Sequence, residues 1–341
     1  MTAVIAILVF VLIIGLCVGS FLNVVILRSL SEESIIFPAS KCPKCGQKLK
    51  WYHNIPILSY IMLRGKCAFC KTQISIQYPI IEFLTGILFT AAFLKFFIGP
   101  VPMYGINFGN WLNTVYAWIV ISLLIILAGT DIKEKVVFDK HTYTLIAAGL
   151  IYSLVITIIA ILYSQKTTGH LPLNTEFLIH NPITNALLGL ISGAVIMELL
   201  ARSGYLFAGT RAFGEGDTYI AAGIGAVFGW EKLIAALILS IIIQLIITLP
   251  IFFKKLFKNK DYAAILSLSG FFLYAVIFLI LQNKGILSNG VVYSICAIIL
   301  AAIGIYACVR IIKDLKENKD NMTYLPFGPA MAIAALLMIA L

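Results

Sequence analysis

The chain reads as an all-α polytopic membrane protein of about ten transmembrane helices with a small cytosolic zinc-binding insert. Three observations carry that reading. Of 341 residues, 61% are hydrophobic and only 12% are charged, where a soluble domain is about a quarter charged. The apolar residues fall in long uncharged runs, near the roughly 20 residues that cross a bilayer as a helix. A single long polar loop near the N-terminus holds two Cys-x-x-Cys pairs.

The first run, Thr2 to Leu27, precedes the first positive charge, Arg28. A cleavable signal has the opposite polarity, so 1–28 is expected to be a retained helix with its N-terminus outside. The polar loop 29–74 follows. Apolar spans are then expected at 76–98, 111–130, 142–163, 182–201, 218–230, 231–253, 262–283, 287–309 and 323–341. The junction at Trp230 reads either as a tight turn or as one longer element. The expected organisation is a zinc subdomain at 29–74, a membrane bundle at 75–253, an extra helix pair with basic loops at 254–320, and a last helix at 321–341.

Alternation of the spans puts 28–75, 131–141, 202–217, 254–261 and 310–322 on one side, with 21 of the 25 Lys and Arg. That asymmetry marks the cytosolic side. It also accounts for the net charge of +10, so no nucleic-acid partner is expected; the surrounding partner is membrane lipid.

Cys42-Pro43-Lys44-Cys45 and Cys67-Ala68-Phe69-Cys70 have the spacing of a tetrahedral four-thiolate Zn²⁺ site. A cytosolic loop disfavours disulfides, and a short loop with few core-sized side chains needs a staple. The zinc is therefore expected to be structural, with no open coordination position for catalysis. The other cysteines, Cys17, Cys296 and Cys308, lie in apolar runs and read as small buried hydrophobes.

Two acids stand at the edges of apolar runs. Asp131 closes the run from Trp111 to Thr130, and Asp217 closes Gly214-Glu215-Gly216-Asp217. An ionisable group at membrane depth is costly and marks a functional candidate. Each has a plainer reading: Asp217 as the N-cap of a helix starting at Thr218, Asp131 as part of a solvated turn with Glu134 and Asp139. As a pair they can share a proton and activate water. Thr218 to Gly229 is 12 residues, about 18 Å of helix, against a hydrocarbon core of about 30 Å. Asp217 is therefore expected below the inner surface, with Gly214 and Gly216 supplying the dihedrals of a bend there. Gly225-x-x-x-Gly229 is suited to close helix approach. His53, His141, His170 and His180 form no metal or triad pattern.

Several stretches resemble the type IV prepilin peptidases, bifunctional leader peptidase/N-methyltransferases of the GxGD class of membrane aspartic proteases. They are Gly19-Ser-Phe-Leu-Asn-Val-Val-Ile-Leu-Arg28, Ser40-Lys-Cys-Pro-Lys-Cys45, Asn54-Ile-Pro-Ile-Leu-Ser-Tyr60, Leu63-Arg-Gly-Lys-Cys67, Tyr78-Pro-Ile-Ile-Glu82, the segment from Asp131, Gly214 to Asp217, and Pro326-Phe-Gly-Pro329. The resemblance implies cleavage of the leader from type IV pilin-like precursors at the cytosolic face of a bacterial cytoplasmic membrane. It also implies N-methylation of the new N-terminus with S-adenosylmethionine. Asp131 and Asp217 match the catalytic pair, and the four cysteines match the zinc ligands. Three departures stand out. Val137-Phe138 replaces an Ile-Pro, Tyr219 stands where many members have Lys, and the helix pair 262–309 is extra. Rival readings are an ion-coupled transporter, or a methyltransferase or assembly scaffold without protease activity.

Overall fold

The computed structural model describes residues 2–37, 39–98, 109–168, 181–208, 213–259, 262–283 and 326–341, with Arg211 and scattered residues between 293 and 306. Most of the expected span 287–309 and all of 310–322 lie outside the described residues, as do His170, His180 and Cys308.

The described residues are mostly helical, apart from the polar loop that carries the four cysteines, which is largely turns with two isolated β-bridges. The helices are α1 (Thr2–Leu30), the short α2 (Leu58–Met62), α3 (Gln77–Phe93), α4 (Gly109–Glu134) and α5 (Asp139–Thr168). Then follow α6 (Pro182–Ala208), α7 (Glu215–Asn259), α8 (Tyr262–Asn283) and α9 (Gly328–Ala340). Six candidate membrane spans emerge by length and composition among the described residues, on α1, α3, α4, α5, α6 and α7. The count of about ten therefore stands at six clear spans. Two expected spans, 218–230 and 231–253, are joined in α7, and the last, α9, is a 13-residue helix.

Many large apolar side chains on these helices are exposed, as at Phe10, Phe83, Ile151 and Leu199. Such faces suit a surrounding of lipid, not water. Cys17 is exposed on α1 and Cys296 is half-buried, which corrects their reading as buried residues. In lipid, a thiol on an apolar span needs no burial inside protein.

The chain divides into two compact units. The first comprises residues 1–200, 213–243 and 326–341, and the second comprises 201–212 and 244–325. The four-cysteine loop and both aspartates belong to the first. Its core joins Ile26, Phe89, Phe93, Leu124, Leu127, Ile220, Ile224 and Met331. α1 lies along α3, where Gly19 meets the backbone of Glu82; a methyl group there would sit 2.7 Å from its Cα. Small residues let membrane helices touch through their backbones.

The same device joins α6 to the first part of α7. Gly189 and Gly225 lie carbonyl against Cα, and Gly193 meets the backbone of Ala221. Gly225 thus acts in close approach, as its spacing predicts. Gly229 does more: its φ of 77° and ψ of 170° break α7. Asn185 of α6 fills the break by accepting the Trp230 backbone N–H at 3.0 Å. The junction is a sharp break between two helices, 215–228 and 230–259.

Candidate active site and metal site

Asp131 sits in the last turn of α4, and the end of that helix holds it there. Lys135 takes φ 56° and donates its N–H to the Asp131 carbonyl at 2.9 Å. A left-handed residue just past a helix that bonds back in this way is a C-terminal cap. The side chain is 3% exposed. Its Oδ2 is buried with no hydrogen-bond partner among the described residues.

Asp217 is 5% exposed. It is not the N-cap of a helix beginning at Thr218. α7 begins at Glu215, so Asp217 is its third residue. It reaches back to accept the Gly214 backbone N–H at 3.1 Å. That is one half of a capping box, and a negative group there is favoured by the helix dipole.

The two carboxyl groups interact electrostatically, and the amide of Gly328 lies beside Asp131. Three segments meet around them. Gly216 packs against Val137, so close that a methyl on Gly216 would lie 2.6 Å from the Val137 Cβ. Gly328, at the start of α9, presses its Cα face on Asp131 Oδ2 and on Ile220, which is 3.0 Å from an added methyl. The Phe213 and Phe327 rings meet at 5.0 Å. Glycine at 216 therefore serves contact, not a special dihedral. Positive-φ glycines are Gly46, Gly65 and Gly229, and neither Gly214 nor Gly216 is among them.

Gly328 is the residue that sequence reasoning missed. Its motif, Pro326-Phe-Gly-Pro329, was visible as a family match, but nothing in the pattern tied it to Asp131. Tyr219, at the position of an expected Lys, pairs its ring with Tyr143 at 5.9 Å. His141 is buried and bonded to Ser29 Oγ at 3.0 Å, linking α1 to α5. Glu82 is buried and accepts the Ile57 N–H at 2.7 Å. It ties the loop, at a residue with φ 59°, to the membrane helix α3.

The four cysteines come together as expected. Their Sγ atoms all lie within 4.8 Å of one another, and Cys42 and Cys70 are 3.9 Å apart. Tetrahedral zinc with Zn–S near 2.3 Å wants sulfurs about 3.8 Å apart, so the set fits that ion. Two similar turns build it. Cys42 N–H bonds to Gln47 and Gly46 N–H bonds back to Cys42; Cys67 N–H bonds to Thr72 and Lys71 N–H bonds back to Cys67. The bridges Lys41 to Lys48 and Lys66 to Gln73 close the turns. Each turn has its positive-φ residue four places after the first cysteine, Gly46 at 69° and Lys71 at 60°. A hydrogen bond with the Thr72 hydroxyl, aided by the Thr72 amide, brings the Cys70 thiol down to about 6. That favours the thiolate a metal needs.

Comparison with known proteins now bears on both sites. Residues 13–96 match the Bacterial Peptidase A24 N-terminal domain, and residues 118–249 match the Type IV leader peptidase family. A prepilin leader peptidase/N-methyltransferase of Klebsiella pneumoniae is 32% identical over 238 residues, covering 68% of this chain and 89% of that protein. The chain belongs to the type IV leader peptidase family. A second relative of that name, from Neisseria gonorrhoeae, is 32% identical over 77% of this chain and 88% of its own length. One from Myxococcus xanthus is 33% identical over 68% of this chain, and the match spans 59% of that protein. No solved structure matches the chain. The first family match holds the four cysteines, and the second holds both aspartates. The Pro326–Pro329 strip lies beyond both.

Proposed function

We propose that this protein is a membrane aspartic endopeptidase that removes the leader from type IV pilin-like precursors, with Asp131 and Asp217 as the catalytic pair. The observation that carries the reading is the burial of two interacting carboxyls, one without a hydrogen-bond partner at Oδ2, in a peptidase-family chain.

Like charges held close cannot both ionise, so the pair keeps one proton. The ionised carboxylate takes a proton from water as the water oxygen attacks the scissile carbonyl carbon. The protonated carboxyl hydrogen-bonds the carbonyl oxygen as it gains charge. When the tetrahedral intermediate collapses, the C–N bond breaks and a carboxyl proton goes to the leaving amine. The products are the free leader and a pilin with a new α-amine.

Depth supports the substrate class. The first part of α7, residues 215–228, spans about 21 Å at 1.5 Å per residue, and the 13 residues of α9 span about 20 Å. Both are shorter than the roughly 30 Å hydrocarbon core. Their far ends are marked by lysines that feel each other's charge. Lys95 donates to the Met338 carbonyl at the end of α9, and Lys232 follows the break at Gly229. Helices that end together at the outer side start below the inner surface, beside the aspartates. A precursor with a polar leader and an apolar helix in lipid presents its cleavage point at that depth. The zinc loop and both aspartates then face the cytosol of a bacterial cytoplasmic membrane.

The four cysteines would hold a structural Zn²⁺ that folds the loop. N-methylation is the second activity carried by the relatives' names, and S-adenosylmethionine is the proposed methyl donor.

Mass spectrometry of a candidate pilin from cells with and without this protein tests both activities. The expected result is a leader removed and an N-terminal methyl added only when the protein is present. An unprocessed precursor in both samples would refute the reading.

A further inference from the structure

We infer that Gly328 is a positioning residue of the same aspartate pair, and that the start of α9 forms the third wall of the site. This rests on the proposed peptidase reading and adds a component to it. The juxtaposition is specific. The Cα face of Gly328 lies on Asp131 Oδ2, a carboxylate oxygen buried without a hydrogen-bond partner among the described residues. The Gly328 amide acts on the same group.

The local sequence explains why this strip can reach so far. Phe327 is the N-cap of α9, Gly328 its first residue, and a proline follows at once. A helix leaves its first amides without internal partners. Proline at the second position has no N–H to leave over, so the amides without a partner inside the helix belong to Phe327, Gly328 and Ala330. The helix dipole adds partial positive charge there. Asp217 already has this arrangement from its own helix, through the Gly214 amide. Asp131 sits at the opposite, C-terminal end of α4, where its own helix offers the wrong sign. The start of α9 supplies from another helix what α4 cannot.

Steric logic then fixes the residue type. Any Cβ at 328 would collide with Oδ2 of Asp131, so only glycine lets the helix end come this close. Packing holds the end in place. Phe327, Pro329, Ala330 and Met331 are buried, and Phe327 meets Phe213, four residues before Asp217. One short helix thereby touches the loops of both aspartates.

The test compares wild type with Gly328→Ala in leader cleavage across pH, using purified full-length protein and a pilin-like precursor peptide. We expect kcat to fall about 100-fold or more with KM within about 3-fold, and one limb of the pH–rate profile to move by at least half a unit. Zinc content and thermal unfolding should stay at wild-type values. Gly270→Ala, where a methyl meets nothing within 4 Å, controls for the general cost of the exchange in a helix. A uniform loss at every pH in folded protein would overturn the positioning role. If Gly328→Ala does not fold, Pro329→Ala replaces it. That exchange frees the backbone at the helix start without adding bulk, and should lower kcat several-fold and move the same limb. Unchanged kcat and profile in Pro329→Ala would overturn the inference. Loss of cleavage in wild type itself would instead refute the peptidase reading.

Discussion

At the scale of single residues, contact explains what dihedral freedom does not. Gly216 lies in a stretch where a bend invites a conformational reading, yet its φ is ordinary and its lack of a side chain makes room for Val137. Gly216→Ala should therefore lower leader cleavage at least 10-fold, by pushing the 131–139 turn away from Asp217. Overpacking of this kind typically costs 1–3 kcal/mol. Because the colliding partner is the Val137 side chain from its Cβ outward, Val137→Gly in the same protein should restore much of the activity. Kinetics of the two single variants and the double variant measure that coupling. Additive losses would show that Val137 is not what limits residue 216. The two aspartates were legible because acids rarely abut apolar runs. Their surroundings were not, since Gly216, Val137 and Gly328 are ordinary residues whose roles exist only in contact.

At the scale of elements, the zinc loop is built twice from one small turn. The cysteine spacing disclosed the cluster, and hydrogen bonds and φ angles disclose the repeat. Cys42→Ser should lower bound zinc, measured by elemental analysis, and loosen the loop to protease. Full zinc occupancy in that variant would remove the four-thiolate assignment. Lys71 occupies the place that Gly46 holds in the first turn, at φ 60°. Glycine accepts that conformation without the Cβ clash that burdens lysine. Lys71→Gly should slow zinc loss to a chelator, by an amount near 0.5–1 kcal/mol, and Gly46→Ala should hasten it. The helices tell a similar story. Apolar runs exposed the spans, while the break of α7 at Gly229 needed the positive φ and Asn185 across the gap. Residues far apart in sequence meet there, so no local pattern marks it.

At the scale of the whole molecule, two short helices and one charge asymmetry converge on a single arrangement. The helix of residues 215–228 and α9 each begin at an aspartate and end near Lys232 or Lys95. The site should then lie within the cytosolic half of the bilayer. Single cysteines placed at Glu134 and at Lys166, on a background without native cysteines outside the zinc loop, should label from opposite sides of oriented vesicles. The Glu134 site should react from the cytosolic face. Labelling of both from one side would break the topology. Charge bias is what the proposed sidedness rests on. The proposed depth rests on Gly229 and Gly328 delimiting the short helices, because hydropathy alone runs on through both boundaries.

The most direct measurement of the central claim is cleavage of a pilin-like precursor by purified wild type, Asp131→Ala and Asp217→Ala, with zinc content and helicity recorded on each sample. Loss of cleavage in both variants, with zinc and helicity kept, is the predicted result. Wild-type cleavage by either variant would contradict the paired-aspartate mechanism.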